Sequence, residues 1–112
     1  MGVVTAFPQP VAGQVVFDRP ELNLILGLYG RMVAAGEWRD YAVAMDREAA
    51  VFSAFRRASE RPEVQVVKRP ALRLKQGQYA LHGEGGAVLA RGSNVKSVLA
   101  LLERRLVKLV EA

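Results

Sequence analysis

Five short runs of strand-type alternation lie between two amphipathic helix signatures, and the spacing between the runs limits what the chain can fold into. The runs are Tyr41–Met45, Val51–Phe55, Val64–Val67, Tyr79–His82 and Ala87–Arg91. The segments that join them are too short to hold crossover helices, so neighbouring runs must pair antiparallel. A sixth, three-residue strand is expected at Val15–Phe17, ahead of the first helix. The expected order is β-α-β-β-β-β-β-α. That is an α+β fold, with an antiparallel sheet of five to six strands and two helices packed on one face.

The first helix carries its own start signal. Asp18 stands three residues before Glu21, with Pro20 in the first turn, the spacing of a capping box. Leu22, Ile25, Leu26, Tyr29, Met32 and Val33 follow at helical period, and Gly36 is placed to end the helix. Leu24, Leu28 and Ala35 form a second, weaker stripe, the mark of a helix covered on two sides. The last helix starts after Gly92-Ser93-Asn94, and Val95, Val98, Leu99, Leu102, Leu106, Leu109 and Val110 make its stripe. Residues 1–13, with Pro8, Pro10 and Gly13, read as a loose N-terminal tail. Residues 14–112 read as one domain, which suits a chain of 112 residues that is 51% hydrophobic.

Charge is distributed unevenly. Residues 1–55 hold four basic and six acidic side chains; residues 56–112 hold twelve basic and five acidic, completing the net +5. Arg56, Arg57, Lys68, Arg69, Arg73 and Lys75 are expected to converge at strand ends and form a polyanion-binding surface. Such a surface contacts a phosphate backbone without reading bases. Phe52, Phe55 and Tyr79 interleave with these cations and would stack on single-stranded bases if exposed, but their apolar neighbours make burial the expected state for most of them. The partners implied are nucleic acid or an acidic protein; the rival reading is a solvated face that keeps the chain soluble.

Other constellations carry less. Arg91, Ser93, Asn94 and Lys96 surround the start of the last helix and suit a small anion, although a helix cap explains Asn94 equally well. Leu24, Leu28 and Trp38 are the expected partner interface, for a homo-oligomer or another protein, with Phe52, Ala54 and Val67 as a partly apolar outer sheet face; for Trp38 the favoured reading is a plug of the helix end against the sheet. His82 is the single imidazole, and no nucleophile is specified beside it. The chain has no cysteine, no paired carboxylates and no Walker-type loop. No catalytic residues, metal site or cofactor are therefore expected, and the reading is a non-enzymatic binding module. No secretory signal or membrane span is read, so the expected compartment is cytoplasmic.

The stretches VVFDRPELNLILGLYGRMVAAGEWRDYA, VFSAFRRASERP and KRPALRLKQGQYAL resemble a family of small uncharacterised bacterial proteins, found mainly in alphaproteobacteria. The likeness spans residues 14–106. It implies a bacterial cytoplasmic domain of unknown function and assigns no site residue.

Overall fold

The computed structural model describes residues 13–57 and 61–111. The elements are α1 (Arg19–Ala34), β1 (Asp40–Met45), β2 (Ala50–Phe55), β3 (Val64–Lys68), β4 (Tyr79–Gly83), β5 (Val88–Gly92) and α2 (Val95–Glu111). The five strands form one antiparallel sheet in sequential order, β1-β2-β3-β4-β5. Apart from Gly13, the expected tail lies outside the described residues.

The capping box forms as the spacing requires. Asp18 Oδ1 accepts the Glu21 amide at 2.9 Å, and Glu21 Oε1 accepts the Asp18 amide at 2.8 Å. At the other end Gly36 takes φ +79°. Its amide bonds to the Val33 carbonyl, and the Glu37 amide bonds to that of Met32. A left-handed residue is what lets those two bonds close the helix, which is the reason for glycine there.

The strand expected at Val15–Phe17 does not form. That segment leans on the β1–β2 turn through one backbone bond, Val15 N to Asp46 O at 2.7 Å, and through Gln14 Nε2 to Met45 O. The helix cap at Asp18 leaves too few residues for a ladder, and Phe17 is buried without one.

Side chains alternate across each strand, and the register carries that alternation over the whole sheet. Ala50, Phe52, Ala54, Val64, Val66, Tyr79 and Leu81 lie on one face. They form a single buried cluster with Ile25, Leu28 and Met32 of α1 and Val95, Val98, Leu99, Leu102 and Leu106 of α2. Helix α2 lies against β4, β5 and α1. Among the described residues no helix is long and apolar enough to cross a membrane.

The helical stripe of α1 is centred differently from the expectation. Leu28 is 1% exposed, whereas Leu24 is 45% exposed and Val33 is also exposed. Residues 25, 28 and 32 point along one line at about 100° per residue, with 22, 29 and 35 flanking it. Leu24 also flanks that line, but it borders the open hollow at Lys96 and Leu99 and stays exposed. Leu28→Ala should therefore cost about 2–5 kcal/mol in chemical denaturation, and Leu24→Ala no more than about 0.5 kcal/mol. Equal costs would put both leucines in one environment.

Candidate functional site

The six expected polyanion-binding residues do not come together. Lys68 pairs with Ala50 across the ladder, so Arg56 and Arg57 lie past the far end of β2, about 20 Å away at roughly 3.4 Å per residue. Arg56 bonds to Glu63 at 2.8 Å and approaches Glu37 at 3.5 Å. Lys68 sits on the inner face with its side chain 15% exposed. It donates to Glu21 Oε1 at 2.8 Å and to the Val16 carbonyl at 2.9 Å. Glu21 also accepts the Tyr79 hydroxyl, and this contact and burial together push the Tyr79 pKa up, burial most. Arg69 points to the outer face, and Arg73 and Lys75 stand exposed on the connector after β3.

Phe52, Tyr79 and Trp38 are buried, as their apolar surroundings favour. Phe52 and Tyr79 are core, so neither offers a face to a base. Ala54 is core too; only Val67 of the expected outer apolar face lies there. Trp38 is 3% exposed, stacks 6.0 Å from Tyr29 and donates its indole N–H to Glu63 Oε1 at 2.6 Å. Burial raises the Glu63 pKa, but the bonds from Trp38 and Arg56 and the charge of Arg105 outweigh it and leave the value lowered.

The expected anion site at α2 is also dispersed. Asn94 Oδ1 accepts the Ser97 amide at 2.8 Å, so it is occupied as a cap. Ser93 is exposed. Lys96 turns into a hollow beside Leu24 and Leu99, and Arg91 projects from β5 onto the outer sheet face.

That outer face carries a site that no single motif announces. Register sets Ala44, Val51, Val67, Ala80 and Arg91 side by side across all five strands. The next row is Ala42, Ser53, Gln65, His82 and Val88. Past the end of the first row, Arg69 and Gln78 meet through Arg69 N to Gln78 O at 2.6 Å. The connector then turns through a short 3-10 segment, Pro70–Leu72. The result is a cavity of about 240 Å³ lined by Val51, Gln65, Val67, Arg69, Leu72, Gln78, Ala80, His82 and Arg91.

Among the described residues, two guanidinium groups and an imidazole line this cavity, and no carboxylate does. Glu48 lies 3.8 Å from Arg69, but its side chain is 83% exposed, and so wet a pair holds little charge in place. Among the described residues no carboxylate pairs with Arg91. The His82 pKa is lowered, first by burial and then by Arg91 and Arg69, so the ring is neutral at neutral pH. Gln65 donates to Ser53 Oγ at 3.0 Å and leaves its carbonyl oxygen as an acceptor. Chemically, the cavity offers cationic forks, neutral hydrogen-bonding groups and an apolar floor.

Gly77 fixes the connector against β5. It has φ +89°, and a Cβ there would stand 2.6 Å from the Gly92 carbonyl oxygen.

The family model described as "Protein of unknown function (DUF2794)" matches residues 15–99. No curated protein and no solved structure matches the chain.

Two outcomes follow from this geometry. A folded-state pKa below the unfolded value means that the unfolded chain binds the extra proton first, so His82 costs the fold stability as pH falls below about 6.5. NMR titration of the ring should give a value under that of a free imidazole. In Arg91→Gln it should rise only part of the way back, because burial is the larger cause. An unchanged value in the variant would mean that Arg91 does not face His82. Gly77→Ala should destabilise the fold by about 1–3 kcal/mol through both its φ and the clash with backbone, read by thermal or urea unfolding.

Proposed function

We propose that this chain, which belongs to the DUF2794 family, is a non-catalytic binding domain that holds an anionic ligand on the outer face of its sheet. The observation that carries the reading is the cavity lined by Arg69 and Arg91 with no carboxylate among its nine lining residues. Guanidinium forks bind carboxylates and phosphates bidentately, and a half-enclosed site strengthens that attraction over its value in water. The overall charge of +5 adds a field of the same sign.

The reading as a binder rather than a catalyst rests on spacing. Ser53 is the one hydroxyl in the row of His82, and Gln65 stands between them. Two strand spacings of about 4.8 Å separate hydroxyl and imidazole, too far for direct proton transfer. Nucleic acid is the weaker form of the anion reading, because Phe52 and Tyr79 are buried and Arg56 is engaged by Glu63.

A second reading, self-association, has its own observation. Leu24, Leu101, Val107 and Val110 are exposed on the helices, away from the sheet. Sedimentation velocity across a hundredfold range of concentration tests it: a constant monomer value removes it.

For the first reading, amide shifts in an NMR titration with sodium phosphate should saturate at Ala80, His82 and Arg91 and weaken as chloride is added. Arg69→Gln and Arg91→Gln should each weaken binding roughly tenfold or more, the scale of a charged hydrogen bond. Shifts that persist unaltered in the double variant would locate the anion elsewhere and remove the proposal.

A further inference from the structure

We infer that the ligand of the outer-face cavity is a small organic carboxylate with an apolar body, rather than a bare inorganic anion or a nucleic-acid strand. The inference rests on the anion-site reading above and goes beyond it in naming the ligand class.

The rows of the sheet supply the argument. Val51, Val67 and Ala80 occupy neighbouring strands in one row, and Arg91 ends that row on β5. Across three adjacent strands they make an apolar floor, a strip about 10 Å wide, in which Val51 is half-exposed and Val67 and Ala80 are nearly buried. Leu72 borders it from the connector, and Arg69 flanks it on the same side. Ser53, Gln65 and His82 form the parallel polar row. A ligand that satisfies the whole surface has a charged head at Arg91 and Arg69, a hydrocarbon body along the strip, and room for one hydrogen-bonding group opposite Gln65 or His82.

Size and charge narrow it further. A volume of about 240 Å³ equals roughly eight waters of liquid, the bulk of a molecule with about that many heavy atoms or a few more. Each guanidinium fork can take a carboxylate head bidentately. Phosphate or sulfate would turn hydrated oxygens toward Val67 and Ala80, which offer them no donor. A nucleic-acid strand needs cations that track its backbone, and the Arg56 end of the sheet lies about 20 Å away with its guanidinium on Glu63.

The test uses the whole chain, with amide shifts at Val67, Ala80 and His82 as the readout. The probes are acetate, butyrate, hexanoate, benzoate, inorganic phosphate and a single-stranded oligonucleotide. Affinity should rise from acetate to hexanoate by up to about fourfold per methylene, the scale of burying a CH₂ group. Val51→Thr keeps the shape of the side chain at a half-exposed position. It should weaken hexanoate severalfold and leave phosphate unchanged, whereas Arg91→Gln should weaken both. Affinity that is flat with chain length overturns the inference, as does phosphate or the oligonucleotide binding tighter than hexanoate. In those cases the anion site itself stands if Arg91→Gln still weakens binding. Absence of saturable shifts with every probe removes the anion-site reading and this inference together.

Discussion

Register governs this molecule on both sides of its sheet. Side chains alternate with period two, so adjacent residues of one strand go to opposite worlds. Lys68 and Arg69 are neighbours in sequence. Lys68 falls on the parity of Val64 and Val66 and is carried inward, while Arg69 follows Gln65 and Val67 outward. An ammonium group brought toward the core needs a partner, because an unpaired buried charge costs several kcal/mol. Glu21 supplies it while its backbone and carboxylate complete the capping box of α1 and its second oxygen takes the Tyr79 hydroxyl. The start of α1 is therefore docked at one corner of the sheet by a charge that strand parity delivered there.

The same logic accounts for the uneven charge. An acidic first half and a basic second half look like a device for attracting polyanions. Much of that asymmetry is spent within the chain. Glu21 receives Lys68; Glu37 receives Arg105 at 2.6 Å; Arg56 and Arg105 both reach Glu63, which lies beside Trp38. Glu37 is positioned for this by the helix end at Gly36, one residue before it. Lys68 with Glu21 and Arg105 with Glu37 thus pair the basic half with the acidic half in the folded domain. Among the other cations, Arg73 stands exposed on the connector, and Arg69 and Arg91 line the cavity.

Local signals were legible wherever one element decides its own fate. The capping box at Asp18, the stop at Gly36, the cap at Asn94 and the five alternating runs all read correctly, because each depends on neighbours within a few residues. Properties that depend on two elements were not legible. How the second stripe of α1 divides was settled by the packing around the helix, so Leu28 joins Ile25 and Met32 in the core while Leu24 stays exposed. Trp38 reads as a plug of the helix end in preference to an anchor for a partner, and it is buried; its acceptor was not legible, because Glu63 stands 25 residues on, just before β3. The cavity was the hardest to see, since its nine residues come from four strands and the connector. A signal did exist: in each strand, the residues between core positions give Val51, Val67, Ala80 and Arg91, and assuming a plain meander aligns them.

An uncovered sheet face in a two-layer fold is ordinarily polar, since water is its only neighbour. Here its centre is apolar, with Val67 and Ala80 nearly as buried as the core although they lie outside the main cluster. Part of their cover comes from the connector, held down by Arg69 N to Gln78 O and by the close approach of Gly77 to Gly92. The connector closes only one side of the strip, and a cavity remains where the rows end in arginine. The two arginines give that open space a positive field, and Val51 on its floor is half-exposed. The proposed occupant, an anion with an apolar body, would answer both features at once.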